Sequence, residues 1–233
     1  MENVSHVIID KTGTLTSARN EDEPLRSARR AASALRSGAC GSCPSVVVCE
    51  TGDGWASTMD AGHALGLWDG HDPSWIRWTS DDLLDADAAD HAVAEATHCR
   101  AEADGRMLLA LDASIFDVLA LRAARKSRRR FVRLLKPDAS LGSPIVVCFN
   151  MLPRHKEHLV ALIKRFDPDA FVAAFVADPT YGATLAEAAD LAVAVDPHLT
   201  QPKIPRPPGF DDTLGVSAAV VIPSLAGLPR LVG

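Results

Sequence analysis

Apolar residues fall in short blocks separated by polar loops. Val4–Ile9 is rich in β-branched residues and ends abruptly at Asp10-Lys-Thr-Gly-Thr14, the pattern of a buried strand that delivers a carboxylate at its C-terminal end. Ser45–Cys49, introduced by Pro44, repeats the pattern, as do Ile145–Phe149, Ala170–Val176 and Leu191–Val195. Their apolar residues run on without alternation, as in strands covered on both faces. Helical composition fills the intervals. Leu25–Ser37 sets Ala and Leu against Arg26, Arg29, Arg30 and Arg36 and stops at Gly38. Further helices are predicted over Trp55–Leu65, from Asp81 to about Glu102, from about Ile115 to Leu135, over Pro153–Phe166 and over Ala183–Ala189. Arg106–Leu111 reads as a short strand and Val216–Val221 as a final edge strand, with an extended, proline-rich stretch at Gln201–Pro208. Trp68–Arg106, with three of the four tryptophans, is the least legible region. Alternating strand and helix units predict an α/β fold of three layers around a mainly parallel sheet.

Composition narrows the function classes. The 233 residues suit a single domain. Lys plus Arg is 24 and Asp plus Glu 30, so the formal charge is 24 − 30 = −6, which argues against a general pull toward nucleic acid or anionic lipid. The apolar blocks are strand-length, far below the roughly 20 residues that span a bilayer, so no membrane partner is expected. Met1-Glu-Asn-Val-Ser-His6 lacks the basic start and apolar core of a secretory signal, which makes the cytoplasm the expected location. Five cysteines, an odd number, imply no disulfide framework, and Cys40-Gly-Ser-Cys43 has no second pair to complete a zinc site. The run Arg122, Arg125, Lys126, Arg128, Arg129, Arg130 and Arg133 reads as a solvated helix face.

Four residues at strand ends or helix starts carry chemistry: Asp10, Thr51, Lys156 and Asp178. Taken singly, Asp10 is an ordinary turn residue and Lys156 a surface lysine. Together they are predicted to converge on the C-terminal edge of one parallel sheet, where such folds bind ligands. An aspartate there can attack phosphorus and form an acyl phosphate. Asp178 offers a second hard oxygen ligand for Mg²⁺. Thr51 would hold a phosphoryl oxygen, and Lys156 would neutralise charge developing on the transferring oxygens.

Asp10-Lys-Thr-Gly-Thr-Leu-Thr16 resembles the phosphorylation motif of P-type ATPases, a branch of the haloacid dehalogenase (HAD) superfamily. Thr51-Gly-Asp53 with the following helix is similar to the second motif of that superfamily, and Leu152-Pro-Arg-His-Lys156 to the segment that supplies its lysine. Val176-Ala-Asp178 and the residues through Asp190 run in register with the last motif and its helix. The resemblance covers most of residues 4–196. It implies a HAD-like Rossmannoid fold with a small or absent cap, Asp10 as nucleophile, and Mg²⁺ held by Asp10, Thr12 and Asp178. It further implies substrate contacts from Lys11, Thr12, Gly13, Gly52 and Tyr181. Cap or insert elements are expected in 17–38 and 68–141.

The chain also departs from that pattern. Only 51 − 10 = 41 positions separate the first two motifs, which leaves no room for the large nucleotide-binding domain of the ATPases, and no transmembrane helices flank them. ATP-driven transport is excluded. In the last motif Tyr181 and Gly182 replace an asparagine and the second acid. Thr12 stands where superfamily phosphatases carry a general acid, which leaves His6, His155 and His158 as substitutes, although a histidine beside a helix is more often a packing residue. The first expectation is thus a Mg²⁺-dependent phosphohydrolase acting on a small-molecule or phosphorylated substrate. A site without a large cap favours a bulky substrate or closure by a second subunit in a homodimer, for which Trp68, Trp75 and Trp78 offer apolar surface. The alternatives are a degenerate binding or regulatory module, and a fold redirected to a non-phosphoryl biosynthetic step.

Overall fold

The computed structural model describes residues 4–10, 44–51, 56, 63, 75–79, 86–102, 108–121, 125–137, 144–177, 179–195 and 220–222. Eight strands form one sheet: β1 (His6–Asp10), β2 (Ser45–Thr51), β3 (Trp75–Trp78), β4 (Leu108–Asp112), β5 (Ile145–Met151), β6 (Val172–Val176), β7 (Leu191–Val195) and β8 (Val220–Ile222). Their spatial order is β3-β4-β5-β2-β1-β6-β7-β8, and every neighbouring pair is parallel. Helices α1 (Ala86–Glu102), α2 (Ser114–Leu121), α3 (Arg125–Leu135), α4 (Pro153–Phe166) and α5 (Pro179–Ala188) flank it. The fold is a Rossmann-like α/β architecture, as the strand–helix rhythm predicts.

The unalternating apolar blocks explain the burial. All five residues of β1 are buried, and so are all five of β6. Parallel strands covered on both faces require this composition, and β-branched Val7, Ile8, Ile9, Val46, Val47 and Val48 suit the pleat. The opposed thiols Cys49 and Cys148, paired in register between β2 and β5, are buried, free, and pack as small hydrophobes.

Two regions differ from expectation. The stretch 68–141, held open as a cap or insert, supplies β3 and β4 to the same sheet. Trp78 is buried with its ring centroid 6.4 Å from that of Phe131, which makes it core; Trp68 and the Trp75 side chain lie outside the described residues. The single helix expected from Ile115 to Leu135 is two, α2 and α3. On α3, Ser127, Phe131, Val132, Leu134 and Leu135 are buried while Arg125, Lys126, Arg129 and Arg133 are exposed, so the basic run is an amphipathic helix with a solvated face. The helix expected at 25–37 and the cap candidate 17–38 lie outside the described residues. Of the helix expected over 55–65, only Ala56 and His63 are described, both helical. No described helix is long and apolar enough to cross a membrane.

Candidate functional site

β1 occupies an inner position between β2 and β6, so its C-terminal residue opens onto the middle of the sheet edge. That residue is Asp10, fully buried. Thr51 ends the neighbouring strand β2, in a register shifted between Cys49 and Thr51 where β2 meets β5. Lys156 arrives on the helix that follows β5, the strand on the far side of β2. β5 ends at Met151, Leu152 is extended (φ −101°, ψ 159°), and Pro153 opens α4 with its ring-fixed φ already suited to a first helical turn. Leu159, Val160 and Ile163 anchor α4 in the core, so Lys156 lies on its buried side.

The outcome is a direct pair: Lys156 Nζ donates to Asp10 Oδ2 at 2.7 Å, and neither side chain is exposed. The two residues are 146 positions apart in sequence. A fully buried lysine is costly unless it meets a carboxylate. The sheet edge supplies that carboxylate at charge-assisted hydrogen-bond distance.

Gly182 closes the site from α5. A Cβ there would lie 2.8 Å from Val176 Cβ and 3.1 Å from Val176 Cγ1, and 3.6 Å from Asp10 Oδ2. Backbone of α5 therefore packs directly on β6 beside the Asp10 carboxylate, and the close approach requires glycine. The absent second acid leaves no vacant space at this position. Tyr181 precedes it in the first turn of α5. The Tyr181 and Thr51 side chains, and Lys11, Thr12, Gly13, Gly52 and Asp178, lie outside the described residues. Among the described residues no group of three or more His, Cys, Asp or Glu is arranged to hold a metal.

The three histidines fare differently from one another. His6 opens β1, so it lies four residue steps before Asp10, about 13 Å of extended chain, and it sits at the opposite edge of the sheet. It cannot serve the Asp10 carboxylate. Burial lowers its pKa to about 4, with Asp167 opposing the shift and Lys136 reinforcing it. His155 is buried in the first turn of α4, where Nδ1 accepts a hydrogen bond from the Leu152 N–H at 3.1 Å and Nε2 faces Asp117 Oδ2 at 3.4 Å. His158 is exposed one turn along.

Sequence reasoning passed over a polar cluster on the same edge, at the ends of β4 and β5. Asp112 Oδ1 accepts from the Ser114 N–H at 3.0 Å and from Ser114 Oγ at 2.5 Å, and Asp112 Oδ2 accepts from Asn150 Nδ2 at 2.7 Å. Burial alone would raise the Asp112 carboxyl, but these hydrogen bonds, with His155 nearby, hold it below its ordinary value. Asn150 adopts φ 57°, the left-handed region that asparagine tolerates better than other side-chain-bearing residues. Asp-Ala-Ser114 just ahead of a helix was the available signal, since a carboxylate two residues before a serine caps a first turn.

No protein-family model matches the chain, and no curated protein matches it either.

Proposed function

We propose that the chain is a Mg²⁺-dependent phosphohydrolase of the HAD type, working through an aspartyl phosphate on Asp10. The observation that carries this reading is the buried Asp10–Lys156 pair at the C-terminal edge of a parallel sheet. A carboxylate oxygen of Asp10 attacks phosphorus, the P–O bond to the leaving group breaks, and Asp10 carries the phosphoryl group until water hydrolyses the acyl phosphate. Lys156 neutralises the charge that grows on the transferring oxygens. Thr51, on the strand beside β1, binds one of them.

The donor chemistry fits Mg²⁺. Asp10, which ends β1, would hold the ion together with Thr12 and with Asp178, two residues beyond β6 in the sequence, all of them hard oxygen donors. When bound, the ion supplies charge neutralisation at the phosphoryl group. Gly182 bars a further carboxylate from α5.

Gly182 also favours a second reading, a module that binds phosphate without turning it over. One experiment separates the two: hydrolysis of an aryl phosphate and a panel of phosphorylated metabolites, with and without Mg²⁺, by wild type and Asp10→Asn. Mg²⁺-dependent turnover that vanishes in Asp10→Asn supports the enzyme. Turnover no greater than that of Asp10→Asn overturns it, and beryllofluoride binding by the inactive protein then supports the module.

A further inference from the structure

The residue before Lys156 is tied into the start of α4. His155 is the third residue of α4, and its backbone N–H donates to Leu152 O at 2.9 Å while its Nδ1 accepts from the Leu152 N–H at 3.1 Å. The ring thereby closes a reciprocal cap of the kind that glutamate or glutamine usually forms at this position. Because Nδ1 is the acceptor, the proton of the neutral ring resides on Nε2, which faces Asp117 Oδ2 of α2 at 3.4 Å. His155 is thus tied to the entry of α4 on one side and directed toward α2 on the other. Lys156, the next residue, reaches Asp10 Oδ2 at 2.7 Å.

We infer that His155 is the positioning residue for Lys156, and that it keeps the ammonium on Asp10 only while its imidazole is neutral. This deepens the phosphohydrolase reading and rests on it for its catalytic consequence.

The physical reason lies in the cap. A protonated ring carries hydrogens on both nitrogens, so Nδ1 can no longer accept from Leu152 and two donors face each other. A positive ring in the first turn also opposes the positive end of the helix dipole. The charges facing the ring are mixed. Asp117 from α2 favours the imidazolium, Arg154 and His158 from α4 disfavour it, and Asp112 at the end of β4 lies close enough to be stabilised by its charge. Burial is the largest influence and holds the His155 pKa below its ordinary value. The neutral, capped form is therefore the ground state at pH 7. Acid releases the first turn of α4 and with it the stem of Lys156. A shift of about 1 Å in such a group costs about a hundredfold in rate.

The test uses full-length wild type, His155→Gln and His155→Ala, with two readouts from pH 5 to 8. Glutamine keeps the cap and does not titrate. In aryl phosphate hydrolysis, wild-type kcat should fall about tenfold per pH unit below the His155 pKa. His155→Gln should lack that limb, and His155→Ala should be about a hundredfold slower at pH 7 with KM little changed. The second readout needs no turnover: the Lys156 Cε resonance in ¹³C-lysine-labelled protein, assigned as the one missing in Lys156→Arg. It should move with the His155 titration in wild type and lose that component in His155→Gln. A Lys156 resonance that stays fixed while His155 titrates, or that moves identically in His155→Gln, overturns the inference. If wild type hydrolyses nothing, the phosphohydrolase reading fails, and the resonance alone decides whether His155 positions Lys156.

Discussion

Replacing Lys156 by methionine removes a charge from the buried edge of the sheet while keeping nearly the same volume. At 2.7 Å and an effective dielectric of about 20, the attraction between Lys156 and Asp10 is about 6 kcal/mol. Desolvating the two ions costs several kcal/mol each, so the intact pair adds little net stability, but removal of one partner costs about 3–5 kcal/mol. Lys156→Met should therefore lower the unfolding free energy by about 4 kcal/mol, and Asp10→Asn by about 3 kcal/mol. The double variant, which buries no charge at this point and leaves only an unpaired side-chain amide, should lose about 1–3 kcal/mol rather than the sum of about 7. Urea unfolding of the four proteins at pH 7, with equal m-values as the condition for comparison, measures the coupling. Losses that add to within about 0.5 kcal/mol would mean the two groups do not share a buried pair, and the reasoning would be wrong.

Three further outcomes follow from other parts of the fold. His6, neutral in the folded protein with a pKa near 4 against 6.5 unfolded, contributes 2.5 × 1.36, about 3 kcal/mol. That stability is fully present above pH 6.5 and is lost as the pH falls toward 4, so the difference in urea stability between wild type and His6→Asn should shrink by this amount across the window. Gly182→Ala gains about 1 kcal/mol of helix propensity but must displace the stiff Val176, at about 1–3 kcal/mol. It should melt lower than wild type, and Gly182→Asp should melt lower still without gaining phosphatase activity. Asn150→Ala should lose about 2 kcal/mol in urea unfolding, from left-handed strain and the lost bond to Asp112, whereas Asn150→Gly should lose only the bond, about 1 kcal/mol.

The central strands were readable because burial on both faces leaves only apolar residues to choose from. Val7–Ile9 within Val4–Ile9 and the whole of Leu191–Val195 carried that signal, and α4 was bounded by Pro153 at its start and by Phe166-Asp-Pro168 at its end. Trp75–Trp78 was not legible, because an edge strand of four residues with Arg77 exposed has neither a long apolar run nor a clear alternation. The division between α2 and α3 carries no proline or glycine. Convergence of Asp10 and Lys156 followed from the parallel sheet, since each chain segment meets the same edge. The orientation of His155 did not follow, because a ring that caps its own helix and one that faces a substrate have the same sequence neighbourhood.

The position of β1 also governs how the chain can assemble as it is made. Its partner on one side, β2, begins 45 − 6 = 39 residues later, but its partner on the other side, β6, pairs His6 with Val172, 172 − 6 = 166 residues downstream. At 5–20 residues per second, synthesis leaves that second edge without its native partner for about 8–33 s. During this time Val7, Ile8 and Ile9 have no charged residue among them to discourage pairing with a foreign strand. Chains truncated before Val172 should therefore collect in the insoluble fraction, and full-length protein should gain in yield from slower synthesis at low temperature or from a chaperone that shields strand edges.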